Sequence, residues 1–247
     1  SAKKILTATP AHQPVSVNLR IESTDQTIFN SDINLPHSCQ IGESNIFTNY
    51  KAICALETAR EQNLLSYKTS DFGWGLFVDS INDIGGGENM FWSLYKNNSS
   101  ASKGAADLEL QEGDAMLMSY VNWNYNNEVL DMALSATSTP VGKNVALTAK
   151  QWNGSEFVDL NTTSTFFINN QPYTTASGTL EYTPDIIGEN IVYVESEGKT
   201  RSTKKTFSAT TTANNDPPVS KPIDSTPPNQ GGGGGRTGGG YREAVPQ

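Results

Sequence analysis

Two cysteines and two histidines stand in 247 residues. No run approaches the roughly 20 apolar residues that a membrane helix needs, so the sequence predicts no membrane span in this chain. The two imidazoles, His12 and His37, lie in an N-terminal leader and beside Pro36, and read as exposed loop residues rather than as general bases. No Ser or Cys has a His partner in a plausibly ordered position, and no G-x-S-x-G, phosphate loop or H-E-x-x-H occurs. The sequence therefore assigns no catalytic residue and no cofactor, and the expectation is a protein that is not an enzyme. Cationic residues are also scarce: 17 Lys and Arg stand against 26 Asp and Glu, for a net charge of −9 and a pI near 4.7. With no Lys/Arg cluster anywhere, nucleic acid and anionic membrane surfaces are excluded as partners.

Cys39 and Cys54 are 15 residues apart, with no His nearby to complete a four-ligand zinc site. They are two buried thiols or one disulfide. The Asn/Thr/Ser-rich, Lys-poor composition is of extracellular type and favours the disulfide. Ser1 is a small residue of the kind that signal-peptide cleavage leaves. The expected location is extracellular or on the cell surface, with the signal peptide removed.

The last 34 residues hold six of the 12 Pro and eight of the 21 Gly. Such a segment buries too little apolar surface to offset its ordering entropy. Residues 211–247 therefore form a Pro/Gly-rich tail or linker, and residues 1–14 an N-terminal arm. About 200 residues remain, enough for two domains of about 100 each.

Residues 15–121 carry the densest patterning. Val15–Glu22 alternates, with Val15, Val17, Leu19 and Ile21 on one side, and Thr27–Leu35 completes a hairpin. Tyr50–Leu64 has the 3.6-residue stripe of a helix, capped by Thr48 or Asn49, with Cys54 on its inward face. Phe72–Ile81 reads as a strand with Phe72, Trp74, Leu76 and Val78 on one face and Gly73 and Gly75 opposite. Met90–Lys96, a short Ala106–Leu110 segment and Ala115–Val121 follow. One helix against a mixed sheet is a β-grasp-like plan. Residues 122–127 read as a hinge. Residues 128–210 break into short strands with turns at regular spacing, the signature of a β-sandwich, with Trp152 as its expected core residue. The fold class is mainly β: an α+β β-grasp-like domain, then an all-β Ig-like sandwich.

The series Gly73-Trp74-Gly75, Trp92 to Tyr95, Asn97, Gly104 and Gly113-Asp114 resembles the transcobalamin-like C-terminal domain family, a β-grasp module of bacterial surface proteins. The resemblance covers about residues 15–121. It implies a candidate small-molecule, corrinoid-like ligand face over residues 72–95. Trp74, Phe91, Trp92 and Tyr95 are the aromatic candidates there, and strand alternation turns Trp74 and Trp92 to the core and leaves Phe91 and Tyr95 as the surface pair. The stretch GTLEYTPDIIGENIVYVE, within about 128–210, resembles bacterial Ig-like surface modules.

Other candidates come from residue type alone. Asp79, Asp83 and Glu88 crowd a Gly-rich turn and offer oxygen ligands to Ca²⁺, or else form a solvated acidic turn. Asn97, Asn98, Asn153 and Asn161 head N-x-S/T sequons in predicted turns. The leading functional expectation is a structural or adhesive subunit of an extracellular assembly. Residues 1–14 and 214–247 would join it to copies of itself or to another surface protein by strand addition. The alternative is capture of a small molecule on the 72–95 face.

Overall fold

The computed structural model describes residues 12–73 and 75–211. The arm over residues 1–11, Trp74 and the tail over 212–247 lie outside the described residues. Within them the chain is mainly β, with a single helix.

The first module contains strands β1 (Val15–Glu22), β2 (Thr27–Leu35), β3 (Ser38–Ile41) and β4 (Asn45–Thr48), then helix α1 (Ala52–Glu61). Strands β5 (Tyr67–Asp71), β6 (Leu76–Ile81), β7 (Ile84–Gly85), β8 (Met90–Lys96), β9 (Ser99–Ser100) and β10 (Ala115–Asn122) follow. Its main sheet has the order β2-β1-β10-β8-β9. The central pair β1 and β10 is parallel and the flanking pairs are antiparallel. Helix α1 packs on the face that carries Val17, Leu19, Ile21, Met116 and Met118, and every residue from Ala52 to Ala59 is buried. The helix is buried all round because the β3–β4 hairpin is stapled over it by the Cys39–Cys54 disulfide, with the two Cα atoms 5.5 Å apart. This is the β-grasp plan read from the sequence.

The local details differ. The helix starts two residues late, with Lys51 at its N-cap and no side-chain cap. Thr48 is still paired with Ser38 in the hairpin, and Asn49 and Tyr50 both take the left-handed conformation (φ 65° and 54°) to turn the chain. Of the expected strand Phe72–Ile81 only Leu76–Ile81 is strand, as β6, which pairs with β5 ahead of it; Gly73 (φ 82°) and Gly75 (φ 148°) between them have backbone angles that side chains resist. Ala106–Leu110 is turn, touching Lys51 through one bridge from Glu109.

The second module contains β11 (Leu130–Leu134), β12 (Ser138–Pro140), β13 (Val145–Trp152), β14 (Phe157–Asp159), β15 (Ser164–Ile168), β16 (Gln171–Thr175), β17 (Thr179–Tyr182), β18 (Gly188–Glu195) and β19 (Lys205–Thr210). One sheet joins β11, β13, β14 and β17, and the other has the order β12-β19-β18-β15-β16. Leu130, Met132, Val145 and Leu147 from the first meet Phe166, Ile168, Val192 and Phe207 from the second, so the sandwich has a dry core. Trp152 is not at its centre. It is half-buried at the edge, where it packs on a small separate cluster of Tyr95, Leu117 and Val129 that bridges the two modules. Its place at the end of β13, facing the first module, is a tertiary fact that strand periodicity does not carry.

Candidate functional site

The junction between the modules is built on the second face of β1 and β10. On β1 the apolar residues face the helix, and Arg20 and Glu22 alternate to the other side. Alternation makes these solvent positions, yet Arg20 is 6% exposed and Glu22 1%. The sandwich covers them. Arg20 Nε donates to Glu22 Oε1 at 2.7 Å, and Arg20 Nη2 donates to the carbonyl of Arg201 at 2.6 Å. Arg201 Nη2 reaches Glu195 Oε1 at 3.0 Å and the carbonyl of Thr24 at 3.1 Å. Its Nε lies 3.7 Å from Glu22 Oε2 and makes no hydrogen bond among the described residues. Thr27 Oγ1 donates to Glu22. Two cations and two carboxylates from opposite modules thus form one network.

Burial raises the carboxyl of Glu195 above its ordinary value. Arg201 opposes that shift, while the carboxylates of Glu22 and Asp25 add to it. Nearby, Thr200 Oγ1 donates to Ser119 Oγ at 3.1 Å and Tyr95 Oη to the carbonyl of Asn127 at 2.9 Å. The segment 122–127, which reads as a hinge in the sequence, is held down: Asn127 is buried, and its amide donates to the carbonyls of Asn122 and Tyr125. A cavity of about 290 Å³ remains beside the network, lined by Ser119, Tyr120, Tyr125, Asn127, Glu195 and Arg201 among others.

The aromatic residues expected to form one ligand face are not gathered. Trp92 is 9% exposed in the helix-side core, with its indole N–H donating to the carbonyl of Ile84. Tyr95 is 4% exposed and points into the junction. Phe91 alone of the three is on the surface, at 41%, and Trp74 lies outside the described residues. The reason is that both faces of β8 are covered over part of its length, one by the first module's core and one by the sandwich. Neighbouring Phe72 and Phe77 are exposed and meet edge to face at 5.7 Å.

The acidic turn is likewise dispersed. Asp83 pairs with Lys68 at 2.8 Å, Asp79 accepts from Ser70, and Glu88 stands apart in the following loop. Among the described residues no three His, Cys, Asp or Glu side chains could hold a metal ion together. Among the sequons, the amide of Asn97 is fully used, donating to Asp114 Oδ1 and accepting from the Ala115 N–H, both at 2.8 Å. Asn153 uses only its oxygen, which accepts from Ser155 and Glu156. Asn98 lies in the turn after β8, and Asn161 in the irregular connection between β14 and β15. His12 and His37, read separately as loop residues, stack on each other with ring centroids 3.8 Å apart, and His37 meets Tyr50 edge to face. Sequence reasoning missed Arg20, Glu22, Glu195 and Arg201. A clean alternation that puts two opposite charges two residues apart on one strand is the one signal that could have marked the first pair.

The free edges of the sheets form the other surface of interest. Asn18 N–H donates to the carbonyl of Asp114, just ahead of β10, so even-numbered residues of β1 bond toward β10 and odd-numbered ones toward β2. In the observed register the odd residues of β2 face β1. The N–H and C=O groups of Asn30, Asp32 and Asn34 therefore point outward, with no strand beyond them among the described residues; the register shifts at Ile28, where Glu22 pairs with Thr27. β2 is nine residues long and contains no Pro or Lys. The edges of the larger sandwich sheet are shorter and carry Pro140 in β12 and Pro172 in β16.

A family described as Domain of unknown function (DUF4430) matches residues 50–122, from just before α1 to the end of β10. No curated protein matches the chain. Similar solved structures include haptocorrin in complex with Cbi, at 13% identity over 47% of this chain and 27% of that one, with a TM-score of 0.37. The D00-D0 domain of intimin is 12% identical over 59% of this chain and 92% of that one, with a TM-score of 0.26. The adhesin InvE of Yersinia pseudotuberculosis is 12% identical over 59% and 46%, with a TM-score of 0.27. This chain spans about a quarter of the haptocorrin chain it is compared with. At these scores the likenesses carry no argument about ligand or partner.

Proposed function

We propose that this chain is a non-enzymatic structural or adhesive subunit of an extracellular assembly, joined to neighbours by strand addition. The observation that carries this reading is the outer edge of β2. Proteins that stay apart blunt such edges with shortness, Pro, Lys or a covering loop. Both ends of the larger sandwich sheet have such devices, whereas β2 has Asp32 and a bulge confined to its first residues. An incoming extended segment would gain main-chain hydrogen bonds from Asn30 to Asn34. Residues 1–11 supply one such segment, about 35 Å long when extended, and residues 214–247 another.

Two further features suit a spacer. The buried junction network makes the two modules one stiff unit, so that a pull on one is transmitted to the other. The Cys39–Cys54 disulfide suits an oxidising compartment outside the cell. Among the described residues no helix is long and apolar enough to cross a membrane. Light scattering of the full chain beside one lacking residues 1–11 and 214–247 tests the reading. It predicts concentration-dependent oligomers for the full chain and a monomer for the trimmed one, and two monomers would overturn it.

A further inference from the structure

Two hairpin turns from different modules face one another across the 122–128 connection. The β8–β9 turn places Asn97 and Asn98 in the left-handed conformation (φ 51° and 67°), the geometry of a two-residue hairpin. The β13–β14 turn presents Asn153 and Gly154. Trp152 ties the two turns together, its indole N–H donating to Ser99 Oγ at 3.0 Å. Between them runs an open groove of about 460 Å³.

The groove is lined with Trp152 and with carboxamides, chiefly Asn98, Gln151 and Asn153. Among the described residues the side-chain amides of Asn98 and Gln151 make no hydrogen bond, and Asn153 uses only its oxygen. Each free amide offers a donor pair and an acceptor side by side. Glu128, the carboxylate in the lining, is paired with Lys199 at 2.6 Å. The walls are fixed beforehand: Asn97 is locked to Asp114 and Ala115, and Asn127 to Asn122 and Tyr125. A preformed groove of this kind loses little entropy on binding.

We propose that this groove holds a carbohydrate. Adjacent hydroxyls on a pyranose match an amide's paired donor and acceptor, and the apolar C–H face of the ring suits a partly exposed indole. An anionic or cationic ligand would meet no unpaired charge there. The sugar has two conceivable sources, a free glycan on a neighbouring surface or a glycan attached to this chain's own Asn98 or Asn153, both of which head sequons. The inference is independent of the strand-addition reading, since neither β2 nor the terminal segments take part.

The test uses the full chain. Its intact mass, from native material before and after glycosidase treatment, shows whether Asn98 or Asn153 carries sugar. An array of defined oligosaccharides of glucose, N-acetylglucosamine, galactose and mannose shows whether free sugar binds, and the strongest is then titrated in solution. Trp152→Ala would disturb the junction, so the variant is Asn98→Gly with Gln151→Ala; Gly keeps the left-handed turn. The expected result is at least a tenfold weaker affinity with an unchanged unfolding midpoint, or, in the covalent case, a sugar mass at Asn98 or Asn153. The proposal is overturned if no arrayed sugar binds and neither Asn carries one, or if the double exchange leaves the titrated affinity as it was.

Discussion

The guanidinium of Arg20 donates to the backbone carbonyl of Arg201 at 2.6 Å, across 181 residues of chain. One strand of the first module thereby holds the loop between β18 and β19 of the second. The pair belongs to a four-charge network in which Arg20, Glu22 and Arg201 are buried and Glu195 is partly exposed, and removing a cation from it leaves carboxylates uncompensated. Arg201→Leu strips Glu22 and Glu195 of their shared cation. Its expected cost is about 3 kcal/mol or more in urea unfolding, with the wild type's single transition splitting as the modules lose their weld. An unchanged single transition would show that the apolar contacts of Tyr95, Leu117 and Val129 suffice alone.

Glu195 supplies a pH signature. Its folded value is raised, chiefly by burial, so the folded state holds the proton more tightly than the unfolded one. The ionised form therefore penalises folding above the raised value. That penalty shrinks as pH falls through it and is gone below the ordinary carboxylate range. Glu195→Gln is expected to leave stability at pH 7 equal or higher and to remove this gain on acidification. Unfolding midpoints of both proteins from pH 4 to 8 measure it.

Glu57 runs the other way. Hydrogen bonding from Arg60, with a further one from Tyr67, holds its carboxyl below the ordinary value against the opposing effect of burial. The stability it contributes is present above the unfolded value and lost as pH falls through the folded one. Glu57→Gln should lower the midpoint at pH 7 and flatten the decline on the acid side over the same titration.

The disulfide closes a loop of about 15 residues, for which the chain-entropy estimate is roughly 3 kcal/mol. Reduction, or Cys39→Ser with Cys54→Ser, should lower the thermal midpoint by about 6–12 °C in a folded unit of this size. The loss would fall on the first module, whose helix it holds down.

Gly178 offers a sharper steric test. Its φ is 70°, and a Cβ there would run into the backbone carbonyl of Leu160. Gly178→Ala is therefore expected to destabilise the sandwich by more than the roughly 1 kcal/mol typical of a single exchange. Gly142, also at positive φ but with open space around it, is the control.

These residues also show how far the sequence reaches. Val15, Val17, Leu19 and Ile21 announce a half-buried strand, and the stripe from Ile53 to Arg60 announces a helix, because both signals are local. The same alternation hides Arg20 and Glu22, since their cover comes from Arg201, whose nearness depends on how two modules pack. Gly73 and Gly75 read as strand residues by the aromatics around them, and only their positive φ shows that they are not. Trp152 and Tyr95 look like a core residue and a surface residue. They end up as neighbours across the junction, because each sits where its own module meets the other.

Strand addition at the edge of β2 is probed by Asn30→Pro. The Asn30 N–H points away from β1, so the exchange removes an outward donor while sparing the β1–β2 ladder. Solution mass by light scattering, for the full chain with and without this exchange, is the measurement. The account predicts concentration-dependent oligomers for the wild type and a monomer of unchanged unfolding midpoint for Asn30→Pro. Oligomers of equal size in both, or a wild-type monomer at every concentration, would contradict it.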